Sequence, residues 1–270
     1  ATIDLNSKPN FQKLNFDPIK YLNGINIDNF DYRKSKFVVE NYSPTEIKQT
    51  GYFTTNNALK IDAIRQQINR WNKDIKLSHA EYVYLVAALI EALPFVSNTT
   101  GTYGAYLKKW DKRAFKPIKL NDHEIFDNGL LNKSYCEDAK TLIKKLKGDI
   151  IYLDPPYNGR QYGSNYHVLE TIARYDYPNV RGITSMRDNN DIRSNFCIKS
   201  KANKELEEII QNSNFRYIFF SYNNEGILSE EEIEEIFAKY CKNNTIEIIK
   251  IPYRRYKRNQ KSYSKQLFEL

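Results

Sequence analysis

Residues 148–157 read GDIIYLDPPY, and this stretch decides the fold. Gly148 leads into DIIYLD, a continuous apolar run of the kind buried on both faces in a parallel sheet. Asp154-Pro155-Pro156-Tyr157 ends the run. In open α/β sheets, ligands bind beyond the carboxyl ends of the strands, so residues placed there carry information. The two prolines fix φ and remove N–H donors, which stiffens the loop and points its carbonyls outward. A stiff loop with one carboxylate and one free carbonyl accepts two hydrogen bonds from an exocyclic amine. The adjacent tyrosine ring can stack on a planar base. Asp-Pro-Pro alone would indicate a proline turn with an incidental Asp cap; Tyr157 and the preceding strand argue against that.

Downstream, the pattern alternates helix and strand. NYHVLETIARY (165–175) and residues 202–211 read as helices, and FRYIFFSY (215–222) as a second buried strand. Ser229 and Glu232 form a capping box for SEEEIEEIFAKYC. TIEIIKIPY (245–253) and KQLFEL (265–270) read as a final antiparallel hairpin. Upstream of Gly148, KSYCEDA reads as a short strand and turn, and AKTLIKKLK as a short helix. From the residues alone, Asp138 in CEDA, between a strand and a helix, is a candidate N-cap.

The preceding region has a different character. Residues 1–50 show no sustained period. Asn57–Trp71 is helical, with Leu59, Ala63, Ile64 and Ile68 at three- and four-residue spacing. Ser78 and Glu81 cap a second, mostly apolar helix that Pro94 interrupts. A polar loop, SNTTGTYG (97–104), then leads into Lys108, Lys109, Lys112 and Arg113. Three regions result: 1–50 irregular, 51–131 helical, and 132–270 α/β.

The chain has 270 residues, with 41 Lys plus Arg against 33 Asp plus Glu, a formal charge of +8. This balance favours a polyanionic partner. Residues 253–265, YRRYKRNQKSYSK, concentrate it: Arg254, Arg255, Lys257 and Arg258 are interleaved with tyrosines, and no acid is present. Such side chains reach phosphates while the rings pack on sugars or bases. Mean hydropathy is -0.68, and no apolar run approaches a membrane span. Cys136, Cys197 and Cys241 form no C-x-x-C pair, which suits a reducing cytoplasm. The three histidines lack metal-ligand spacing, so no metal is expected.

These motifs resemble the Dam-like class of N6-adenine-specific DNA methyltransferases. The resemblance rests on DPPY (154–157) together with YFTTNNALKIDAIRQQINRW (52–71), YVYLVAALIEALPFVSNTTGTYGAYLKKWDKRAFKPIKL (82–120), CEDA (136–139), YNGRQYGSNYHVLETIARYD (157–176) and FFSYNNEG (219–226). It implies a Rossmann-like S-adenosylmethionine-dependent sheet, a mainly helical DNA-recognition region, and methyl transfer to adenine N6 in double-stranded DNA by base flipping. It implies a restriction-modification setting as well. Asp154, Pro155, Pro156 and Tyr157 would be catalytic. Asp138 and Asp154 would meet the cofactor. Asn98, Thr99, Thr100, Tyr103, Lys108, Lys109, Asn165, Tyr166, His167 and the 254–258 cations would meet DNA. Ser221, Tyr222 and Asn223 would end a strand near the same pocket.

The sequence also departs from that family. The family's Gly-rich loop for the methionine part of the cofactor, and the acid that binds its ribose, have no counterpart; no Gly-x-Gly occurs. The expected sheet is therefore incomplete, with unpaired edges. Three readings follow: a catalytic portion completed by a second polypeptide or an N-terminal segment, a catalytically incomplete DNA-binding subunit, or a methyltransferase with another acceptor such as cytosine N4 or glutamine.

Overall fold

The computed structural model describes residues 8–32, 36–242, 245–252 and 268–269, in two compact units. The first comprises residues 1–135 and 163–191, the second 136–162 and 192–270.

The first unit is helical. Its short helices are α1 (Pro18–Gly24) and α2 (Phe37–Tyr42), so the segment expected to be irregular carries two helices. Too short to show a period, they are fixed by caps and packing: Asp17 caps α1, and Pro18 presets its first turn. Helix α3 (Thr55–Lys73) starts at Thr54, whose hydroxyl accepts from Asn57 N–H. Helix α4 (His79–Ala92) has the expected reciprocal cap: Glu81 Oε2 accepts from Ser78 N–H at 2.7 Å, and Ser78 Oγ accepts from Glu81 N–H at 3.3 Å. The apolar stripes Ile61, Ile64, Ile68 and Leu85, Leu89 meet in one core, joined by Val168 and Ile172 of α7 (His167–Arg174).

Two buried charged side chains tie this unit together. The Arg65 guanidinium donates to Ile172 O at 2.8 Å and Ala173 O at 3.0 Å, a cation on the carbonyls of α7's last turn. The Asp62 carboxylate accepts from Val38 and Val39 N–H at α2's start, at 3.0–3.1 Å, and from Tyr175 Oη at 2.6 Å. After α7 comes a two-stranded ribbon, β2 (Val180–Arg181) and β3 (Met186–Arg187), paired antiparallel.

The second unit holds α5 (Ala139–Ile143), β1 (Gly148–Leu153), α8 (Lys199–Gln211), β4 (Phe215–Phe220), α9 (Glu230–Tyr240) and the short antiparallel pair β5 (Ile251–Pro252) and β6 (Phe268–Glu269). The four-residue helix α6 (Tyr162–Asn165) lies at the boundary between the units. Strands β1 and β4 run parallel, with Ile150 opposite Tyr217 and Tyr152 opposite Phe219. Ile151, Leu153, Ile218 and Phe220 face Leu206, Ile209, Ile236 and Phe237 of α8 and α9.

Two expectations need correction. The strand DIIYL is not buried on both faces: Ile150, Tyr152, Tyr217 and Phe219 are 60, 64, 52 and 55% exposed. An apolar run reports the environment a strand is suited to, and here only one face has a helical layer. KSYCEDA forms no strand; residues 133–138 are irregular and exposed, without a ladder partner among the described residues. The expected antiparallel hairpin pairs, among the described residues, Ile251 with Glu269 and Pro252 with Phe268; the rest of it from 253 to 267 lies outside them. The capping box at Ser229 and Glu232 is formed as expected. Among the described residues, no helix is long and apolar enough to cross a membrane.

Burial pushes the Asp62 carboxyl up to about 6, against the pull of its Tyr175, Val38 and Val39 donors. The folded state thus holds this proton more tightly than the unfolded chain. Its stabilising contribution is full below about pH 4 and lost as pH rises towards about 6. In urea unfolding, the stability difference between the parent and Asp62→Asn should shrink over that window and stay constant above it. Asp62→Ala should cost about 3 kcal/mol by leaving buried donors unpaired.

Candidate active site and nucleic-acid interface

The candidate catalytic loop lies where β1 ends. Leu153 O accepts from Ser221 N–H at 2.9 Å, which extends the parallel ladder one residue beyond β4. Asp154 to Tyr157 then leave the sheet as irregular backbone, with Asp154 exposed and Tyr157 38% exposed. Among the described residues, the Asp154 carboxylate makes no ion pair and the Pro155 carbonyl accepts no hydrogen bond. Both acceptors that the sequence assigns to an amine are thus available.

The far end of the loop is latched. Tyr157 O accepts from Ile227 N–H at 2.8 Å and from Tyr222 Oη at 3.4 Å. The buried Tyr222 ring stacks on Phe220 at 5.4 Å and meets the Tyr157 ring edge-on at 6.5 Å. Its hydroxyl also accepts from Leu228 N–H at 3.2 Å. Gly226 makes this approach possible, since a Cβ there would lie 2.1 Å from the Tyr222 ring. Asn223 is buried, and its side-chain oxygen accepts from Glu225 N–H at 3.0 Å in the same turn. The latch was missed in the sequence; its one signal is a glycine after Asn223-Asn224-Glu225.

Asp138 has a definite local role. Its carboxylate caps α5 by accepting from Lys140 N–H at 3.0 Å and Thr141 N–H at 3.3 Å, and it remains exposed.

In the first unit, the expected DNA-contacting residues divide into exposed and interior ones. Thr100, Lys108, Lys109 and Tyr166 are exposed, and Asn165 is half-buried. Asn98, Thr99, Tyr103 and His167 are at most 2% exposed, so the structure does not present their side chains to a ligand. Asn98 instead organises the loop from within. Its amide donates to Gly51 O and Leu107 O, and its oxygen accepts from Asp111 N–H. The Arg113 guanidinium donates to the Ser97 and Thr99 carbonyls.

His167 and Tyr103 meet at one hydroxyl. Tyr52 Oη donates to Tyr103 O at 2.8 Å and lies 3.3 Å from His167 Nε2. Tyr52 has a single O–H proton, so Nε2 carries the proton of the second bond in the tautomer that satisfies this network. Burial pushes the imidazole down to about 4, so it is neutral at pH 7. Tyr103 N–H donates to Asn165 O at 2.5 Å, a second tie, from the loop to the end of α6. Nothing in the pattern around Tyr52 marked it as this hub. Arg254, Arg255, Lys257 and Arg258 lie outside the described residues.

Comparison with known proteins places the sequence in a family. Residues 19–236 match the model of the D12 class N6 adenine-specific DNA methyltransferase family. The chain is 45% identical to the modification methylase StsI of Streptococcus sanguinis, over all of this chain and 41% of that protein. It is 46% identical to the type II methyltransferase M.FokI of Planomicrobium okeanokoites, over all of this chain and 42% of that protein. With M.NlaIII of Neisseria lactamica the identity is 43%, over 76% of this chain and 60% of the relative. The chain therefore spans about two-fifths of the length of the first two. No solved structure matches. With the family's model covering the sheet, the loop and the helical region alike, the chain belongs to the D12 class of N6 adenine-specific DNA methyltransferases.

Proposed function

We propose that this chain carries the amine-activating and DNA-recognising parts of a site-specific DNA methyltransferase that modifies adenine N6 in double-stranded DNA within a restriction-modification system. The observation that carries the reading is the pair of open acceptors, Asp154 and the Pro155 carbonyl, on a latched loop at the carboxyl end of a parallel strand. A flipped adenine presents its amine to both. The amine lone pair is delocalised into the ring and is a poor nucleophile. Two acceptors favour a more tetrahedral nitrogen and offset the positive charge that develops as the new bond forms. Tyr157 stacks on the base. Prolines at 155 and 156 keep the acceptors from moving, which aligns the amine for an in-line reaction. Asp in first position favours adenine over the cytosine N4 and glutamine acceptors.

S-adenosylmethionine, when bound, supplies the methyl group. The described residues fit part of it: Asp138, exposed at the start of α5, and Asp154 are the acids that would face the cofactor. The remainder would come from a further polypeptide segment with two strands and a Gly-rich loop, either a separate subunit or another part of the same protein. The exposed side chains of Ile150, Tyr152, Tyr217 and Phe219 support this, because a parallel sheet is stable when both faces are covered. Thr100, Lys108, Lys109, Asn165, Tyr166 and the 254–258 cations would contact DNA, and the buried Asn98, Thr99, Tyr103 and His167 would shape that surface. A non-catalytic DNA-binding subunit has no comparable support, since open amine acceptors serve no purpose in it. The setting is cytoplasmic.

Two measurements test this. In the intact protein, Asp154→Ala should lower transfer of tritiated methyl to unmethylated DNA by about a hundredfold or more. Its DNA affinity should stay within about twofold of the parent, because Asp154 meets the amine and not phosphates; retained turnover would overturn the assignment. In calorimetry, the 270-residue chain alone should bind S-adenosylmethionine no more tightly than about 1 mM. Low-micromolar binding would show that this chain holds the whole cofactor.

A further inference from the structure

We infer that the ribbon β2–β3 and the turn Thr45–Lys48 form, with loop 97–107, one rigid platform that grips duplex DNA, and that Ile183 is the apolar group entering its base stack. This deepens the DNA-methyltransferase reading and rests on it.

Hydrogen bonds join the three loops. In the turn, Thr45 N–H donates to Lys48 O at 2.9 Å and Lys48 N–H to Thr45 O at 3.1 Å, leaving Ile47 at its tip, 94% exposed. The ribbon's turn runs from Gly182 (φ 71°) to Ser185 (φ 49°), closed by Ser185 N–H on Gly182 O at 3.1 Å. Ile183 at its tip is 73% exposed, and Arg181 beside it is exposed. Lys48 Nζ donates to Ser185 Oγ at 3.2 Å, which joins the two turns. Thr50 Oγ1 donates to Leu107 O at 3.0 Å, which joins the first turn's segment to the loop.

The ribbon's base is equally fixed. Arg187, 9% exposed, makes a two-pronged ion pair with Asp176 at 3.1 and 2.8 Å, and Val180 packs on the helical core. Two isoleucine tips held this firmly in water have no role in the core. A two-stranded ribbon fits a DNA groove, and an aliphatic tip can part a base step. The surroundings are complementary to phosphate: Arg181 on the ribbon, and Lys108 and Lys109 on the joined loop, are exposed. Glu46 is the one acid on the two tips. Opening one step next to a target adenine lowers the cost of turning that base out, and a buried isoleucine would hold the gap.

The test uses the intact protein and its own target site, mapped by sequencing DNA that it has methylated. A duplex with 2-aminopurine at the target adenine reports unstacking by a rise in fluorescence. Ile183→Ala should weaken binding to this duplex about tenfold and remove most of the rise, while Ile183→Leu stays within about twofold. Both variants should unfold at the parent's temperature. Arg181→Ala should weaken binding on every sequence and flatten the salt dependence by roughly 0.9 in slope. Parental affinity and fluorescence in Ile183→Ala would overturn the inference while leaving the methyltransferase reading intact, provided the parent methylates adenine. A parent that methylates no DNA would overturn both. If the parent self-associates and Ile183→Ala dissolves the oligomer without changing DNA binding, the tip is a protein contact and the inference falls.

Discussion

The parallel ladder between β1 and β4 sets the position of everything at the candidate active site. It delivers Asp154 at the end of one strand and Ser221 at the end of the other. Prolines at 155 and 156 lack the N–H groups that would continue the ladder, so the chain leaves the sheet there. The latch on the Tyr157 carbonyl then brings it back towards the turn after β4, where Tyr222 is held between Phe220 and Gly226. Between the ladder and the latch, two acceptors stay open. Strand, prolines, tyrosine and glycine are each common; their sequence in space leaves two acceptors side by side at the end of β1.

The same ladder is only half supported. One face packs on α8 and α9, and the other exposes two cross-strand pairs of large apolar side chains. A two-stranded sheet with one covered face leaves apolar surface in water at a cost of about 25 cal/mol per Å². The chain itself spans about two-fifths of the length of the first two relatives.

Local signals in the sequence located the helices and the proline loop that ends β1. The capping boxes at Ser78 and Ser229 and the periodic stripe of α3 act over a few residues, so one sequence shows them. Asp154 to Tyr157 was legible because proline chemistry is local as well. Burial was not legible. Asn98, Thr99, Tyr103 and His167 are polar residues in a polar stretch, and a surface loop would use the same letters. Their interior placement depends on Tyr52 and Gly51, more than forty positions away from Asn98 in the chain. Ribbon β2–β3 has two pairs and no alternating pattern, and its anchors, Lys48 and Asp176, come from separate segments. The strand expected at CEDA failed for the converse reason: a strand needs a partner, and the described residues provide none.

Under the proposed function, the open acceptors at the end of β1 select the exocyclic amine of adenine. Nucleoside analysis of the product tests it most directly. Unmethylated duplex DNA is incubated with the intact protein and S-adenosylmethionine, digested, and resolved by mass spectrometry. The account predicts N6-methyladenine as the modified base, absent when Asp154 is replaced by Ala. N4-methylcytosine as the product, or N6-methyladenine at parental levels from the Ala variant, would contradict it.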